Sequence, residues 1–145
     1  MRVVIQRVQR ASLTADGVPY SSIGKGIMCM VGIEKTDTLD TLKRCAHKIV
    51  TLRIFKRDEK LNDSVLDIGG EIMLISNFTL CTSNTTGARP DFSPAMEKNK
   101  ANEMFNDFVK IVREYGVKVE TGVFGAHMLI DCVIDGPLNI YKEFK

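Results

Sequence analysis

Two stretches of helical spacing stand between segments patterned as strands, and that order constrains the fold more than any other feature of the chain. From Asp37 or Thr38, both good caps, Leu39, Leu42, Ala46, Ile49 and Val50 recur at helical spacing and predict an amphipathic helix. Ala101, Met104, Phe105, Phe108, Val109 and Val112 predict a second helix, entered near Pro94 and closed by Gly116. Ahead of the first helix, Arg2–Ala15 and Val18–Ile23 flank Asp16-Gly17, a strong hairpin signal, and residues 27–33 form an apolar run of buried-strand length. A short strand at 52–55, a polar turn over 56–63 and a hairpin-like pair across Gly69-Gly70 lead to the apolar run Ile72-Met73-Leu74-Ile75. Residues 82–90 read as a loop, and 117–121, 126–134 and 138–144 as three final strands. The order predicts an α+β fold of mainly antiparallel, barrel-like sheets with two main helices, not a doubly wound parallel sheet.

The 145 residues, 44% of them apolar, suit a single domain with a real core. A net charge of only +2 excludes a generally basic coat, so any nucleic-acid contact must come from local clustering. The amino-terminal run carries charges among its apolar residues, and no apolar run approaches the roughly 18 residues of a membrane span. A soluble, cytoplasmic protein without membrane contact is expected. Cys29, Cys45, Cys81 and Cys132 form no Cys-x-x-Cys pair, and His47 and His127 do not join them at metal-ligand spacing, so no metal site is readable. Apolar surroundings favour reduced, buried thiols at Cys29, Cys45 and Cys132. Cys81 is a possible nucleophile by position, yet no histidine lies close in sequence to activate it.

Two places concentrate chemistry. The run ending at Ile75 stops abruptly at Ser76, Asn77, Phe78 and Thr79, and a buried strand ending in polar groups puts hydroxyls and backbone N–H groups on a rigid support. The other is Gly136-Pro137, between two strand-like runs, where glycine opens unusual backbone angles, proline removes a donor, and the bond between them has access to the cis form. Each alone reads first as ordinary turn or capping chemistry.

Together with the opening 1–8, the loop Gly87-Ala88-Arg89-Pro90-Asp91-Phe92, the stretch from Thr121 to Met128 and Asp135-Gly136-Pro137, the block from Ser76 to Leu80 resembles the D-aminoacyl-tRNA deacylases, homodimeric editing enzymes, from end to end. The resemblance implies hydrolysis of the ester joining a D-amino acid, or glycine, to the terminal adenosine of tRNA, with no metal or organic cofactor. It implies Ser76, Asn77, Phe78 and Thr79 as the catalytic block. Gly136 and Pro137 become a cis dipeptide inserted into the partner subunit's site, whose carbonyls reject an L side chain, and Arg7 supports it. An activated ester needs little beyond a positioned nucleophile and donors for the oxyanion, for which the N–H groups near Phe78 and Thr79 are suited. Water assisted by the ribose 2′-hydroxyl is the preferred nucleophile, and covalent attack by Thr79 the rival.

The chain departs from the family pattern at Asn77, where Gln is usual, at Asn139 for Thr, at Leu138 for Val and at Ile134 for Asn. These leave the main-chain filter intact and make a catalytically impaired nucleic-acid-binding homologue conceivable. For the tRNA body the best surface is 43–60, with Lys43, Arg44, Lys48, Arg53, Lys56, Arg57 and Lys60 against Asp58 and Glu59.

Overall fold

A computed structural model describes residues 1–83 and 87–145; of the loop expected over 82–90, residues 84–86 lie outside the described residues. The chain runs β1 (Arg2–Ala15), β2 (Val18–Ile23), β3 (Gly26–Gly32), α1 (Leu39–Thr51), β4 (Phe55–Arg57), β5 (Lys60–Asp63), β6 (Glu71–Ser76), a 3-10 turn (Phe78–Cys81), α2 (Lys98–Arg113), β7 (Lys118–Thr121) and β8 (Met128–Glu143).

β1 is the spine of the sheet. β3 pairs antiparallel with its first half, β2 with its second half, and β8 runs antiparallel along almost all of it. β6 then joins β3, and β7 joins β6, both in parallel. Antiparallel pairing predominates as expected, but the sheet is mixed, because each helix serves as the crossover that a parallel pair requires. α1 lies between β3 and β6, and α2 between β6 and β7.

Side-chain alternation divides the core. Ile27, Cys29, Val31, Ile72 and Leu74 face the helices, packing with Ile49, Val50, Phe105 and Phe108. Met28, Met73 and Ile75 point the other way, against Val8, Ala11, Leu13 and Ile23. β1 itself changes sides: Val3 and Ile5 belong to the helix face, Ala11 and Leu13 to the opposite one. Its register against β8 shifts twice between Gln6 and Arg10, which is where the sides exchange.

Thr38 caps α1 through a box in which its side chain and that of Thr41 each accept from the other's backbone N–H. Beneath it, the Met1 ammonium is buried against Asp37 Oδ1 at 2.6 Å, Glu34 Oε2 at 3.0 Å and the Phe144 carbonyl at 2.9 Å.

Three sequence expectations are corrected. The region 52–63 is a β4–β5 hairpin turning at Asp58-Glu59, both at positive φ, instead of a strand followed by a turn. Residues 64–70 form the turn into β6, closed by Gly70 N–H donating to Val65 O at 2.9 Å, so there is no strand pair across Gly69-Gly70. After β7 a single sixteen-residue strand, β8, replaces two shorter ones, with Gly136-Pro137 inside it.

Candidate active site

β6 is buried from Ile72 to Ile75 and surfaces at Ser76. The Asn77 N–H still reaches across to Val31 O at 2.8 Å, after which the chain turns into the 3-10 segment. That turn sits tightly on Gly32: a Cβ there would lie 2.8 Å from Cys81 Sγ and 3.1 Å from Asn77 O, so the close approach requires glycine. Arg2 fixes the far end, its guanidinium donating to Leu80 O at 3.1 Å and Thr82 O at 2.6 Å. A rigid strand and two anchors therefore define where Ser76–Thr79 point.

Asn77 is the cap of this turn. Its Oδ1 accepts from Thr79 N–H at 3.2 Å and from the Thr79 hydroxyl, while its Nδ2 faces Met30 Sδ at 3.6 Å. Asparagine is among the best residues for this task. The arrangement corrects one expectation: the Thr79 N–H is already engaged, leaving the Phe78 N–H, which has no partner among the described residues, as the donor free for an oxyanion. The Thr79 hydroxyl is exposed and directed at an amide oxygen, which does not take a proton.

Beside the strand end lies a cavity of about 550 Å³. Ser76, Asn77 and Phe78 form one wall; Met30, Ile75, Phe124, Met128 and Ile130 make it largely apolar; Ala95, Met96, Lys98, Ala101, Gly125 and Ala126 complete it. Phe78, 59% exposed, stands edge-on to Phe92 with ring centroids 5.1 Å apart. Lys98 is the one ionisable residue among those lining the cavity.

Neither histidine lines the cavity: His47 lies on α1 near Tyr115, and the His127 backbone, next to the lining, donates to Asp16 Oδ1 and accepts from the Asp16 N–H. Cys81 is fully buried with its thiol on Ile33 O at 3.5 Å, and burial, reinforced by Glu34, pushes it up to about 11, which disqualifies it as a nucleophile at neutral pH. Burial pushes Cys29 and Cys45 up as well. Among the described residues no three His, Cys, Asp or Glu side chains gather as a metal site.

Gly136 and Pro137 are exposed on β8 and do not line this cavity. Their peptide bond is cis. The register runs from Gln6 opposite Asn139 to Val8 opposite Ile134, so the dipeptide lies in a bulge of β8. Side chains of β1 clamp its two ends. Arg7, only 8% exposed, donates to Asp135 O at 3.2 Å and to Ile54 O at 2.5 Å, and pairs with Asp135 Oδ2 at 3.3 Å. Gln9 donates to Asp135 Oδ2 at 2.9 Å and Gln6 to Asn139 Oδ1 at 2.8 Å, so Asn139 supplies the hydrogen bond its position needs. Ile54 lies between α1 and β4, so Arg7 ties the bulge to the segment that leaves the helix, a reach no sequence pattern signals.

The basic surface of 43–60 lines neither this cavity nor the one next to it. Arg44 pairs with Asp40 at 2.8 Å, Lys56 with Glu59 at 3.8 Å and Arg57 with Asp63 at 3.2 Å. Asp40 and Asp63 fall just outside the counted window, so the local positive excess is smaller than the window implies.

A two-helix layer on a mixed sheet is the fold class, and solved structures share it. One described as structural analysis of a probable eukaryotic D-amino acid tRNA deacylase superposes with a TM-score of 0.83 at 18% identity, covering 97% of each chain, a likeness of fold. Another, a c-Myc DNA unwinding element binding protein, gives 0.94 at 36% identity, covering 100% of this chain and 99% of that one. Proteins described as D-aminoacyl-tRNA deacylase from Clostridium perfringens and Thermomicrobium roseum are each 45% identical, covering 100% and 99% of this chain and 98% and 94% of theirs. The family described as D-Tyr-tRNA(Tyr) deacylase matches residues 4–143, and the chain belongs to it.

Proposed function

We propose that this protein hydrolyses the ester of D-aminoacyl-tRNA and of glycyl-tRNA and spares the L-aminoacyl ester. The observation that carries the reading is a largely apolar cavity at a polar strand end, with no carboxylate, imidazole or thiol in its lining. Such a site is poor in acid–base catalysts, yet it suits an activated ester, for which orientation and one or two oxyanion donors suffice. Water adds to the acyl carbon, the bond to the ribose oxygen breaks, and that oxygen leaves with a proton; the products are free tRNA and the amino acid. The Phe78 N–H meets the oxyanion, the neighbouring ribose hydroxyl assists the water, and Ser76 and Asn77 shape the pocket around the ester.

Selectivity in this reading comes from a homodimer in which Gly136-Pro137 of each protomer enters the cavity of the other. Its support is β8, which pairs only with β1 among the described strands and exposes Leu129, Val133, Ile134 and Tyr141. A sixteen-residue open edge with exposed apolar side chains needs cover. Lys43, Lys48 and Arg53 then meet phosphates of the tRNA body.

Purified protein incubated with D-aminoacyl-, L-aminoacyl- and glycyl-tRNA tests the whole reading. Rapid loss of the D and glycyl esters with the L ester intact is expected. Loss of the L ester at the same rate contradicts the filter, and binding without loss of any ester identifies a nucleic-acid-binding homologue instead.

A further inference from the structure

A second cavity, of about 490 Å³, lies on the other side of Phe124, the residue common to the linings of both. α2 runs along the pair: Lys98 and Ala101 line the first, and Asn102, Asn106, Lys110 and Arg113 the second. The second cavity's other wall holds Tyr20, 57% exposed on β2. β2 is held beside β7 by Ser21 Oγ donating to Thr121 O at 2.7 Å. No carboxylate is among the residues lining it.

We propose that this cavity binds the single-stranded nucleotides immediately preceding the terminal adenosine of the tRNA. The proposal rests on the reading of the first cavity as the ester site. Once the terminal nucleoside occupies that cavity, the strand must leave it, and the adjoining cavity offers the combination that single-stranded nucleic acid uses: cations for phosphates and an exposed aromatic ring for a base. From Lys98 to Lys110 the helix rises roughly 18 Å at about 1.5 Å per residue. That is the reach of at most about five stacked nucleotides at ~3.4 Å each.

The chemistry of the side chains fits. Among the described residues Lys110 has Asp107 alone as an ion-pair partner, at 3.1 Å on the exposed surface, a pair of little energetic weight that a phosphate readily replaces. Arg113 gives one N–H to Val119 O at 3.0 Å and keeps others for a ligand. Asn102 and Asn106 supply amides to base edges or sugar hydroxyls.

The test compares two substrates, D-aminoacyl-tRNA and the D-aminoacyl ester of adenosine alone. Lys110→Gln with Arg113→Gln should lower kcat/KM on the tRNA by about tenfold or more, mainly through KM. It should flatten the dependence of log(kcat/KM) on log salt by about 1.4, at ~0.7 per lost contact to a single strand, and leave the adenosine ester unaffected. Tyr20→Ala should cost about fivefold to a hundredfold on the tRNA alone. Lys110→Glu, at an exposed position, serves where Arg113 replacement disturbs β7. Equal losses on both substrates, or no loss on tRNA, overturns the proposal. If the wild-type protein hydrolyses neither ester, the reading of the ester site fails first. Binding of an oligonucleotide ending in CCA then decides this cavity separately: retained affinity in Lys110→Glu overturns it.

Discussion

The hydroxyl of Thr79 donates to Asn77 Oδ1, and nothing basic lies within its bonding. A covalent route through Thr79 requires an adjacent proton acceptor, and removing a true nucleophile costs roughly a millionfold in hydrolases that use one. Thr79→Val should therefore leave kcat on D-aminoacyl-tRNA within about tenfold of wild type in single-turnover measurements; a loss beyond about a thousandfold restores Thr79 as the nucleophile. The strand end itself is legible in the sequence, since an apolar run stopping at a hydroxyl and an amide marks one. The capping by Asn77 is not, because the 3-10 turn after the strand leaves no periodicity in four residues, and only that turn brings Oδ1 over the Thr79 N–H.

In the proposed function β8 carries the filter as one strand, and Arg7 ties its bulge to Ile54 beyond the β1 pairing. Arg7→Ala leaves the Ile54 and Asp135 carbonyls without the Arg7 donor, at a cost of about 1–3 kcal/mol in urea unfolding. The freed bulge should also lose discrimination, with hydrolysis of the L ester rising while the D rate changes little; unchanged discrimination contradicts a role for Arg7 in holding the filter. Sequence periodicity identified α1, α2, the opening hairpin and β6 because each buries one clear stripe or run. It divided β8 because Gly-Pro is a turn signal wherever local chemistry decides. Here pairing with β1 on both sides of the dipeptide outweighs that signal, and an edge strand tolerates a residue that cannot donate. Parallel pairing of β6 and β7 is likewise a consequence of the helical crossovers, invisible in any one segment.

At the scale of the whole molecule, the cavity and the dipeptide are separate within one chain, and the proposed function makes their cooperation a property of two copies. Gly136 sits at φ 131°, where a Cβ would come within 2.8 Å of Leu138 N and 3.1 Å of Arg7, so Gly136→Ala displaces the filter without touching the cavity of its own protomer. Ala126→Trp, in the lining, plugs the cavity and leaves the Gly136-Pro137 dipeptide alone. Mixed dimers carrying one protomer of each kind, isolated with two affinity tags, test the arrangement directly through the ratio of D- to L-aminoacyl-tRNA hydrolysis. The plugged homodimer should be inactive and the Gly136→Ala homodimer unselective. The mixed dimer should be active and D-selective, because its one open cavity receives the intact dipeptide of the plugged protomer; a mixed dimer as unselective as the Gly136→Ala homodimer contradicts a filter that acts across the interface.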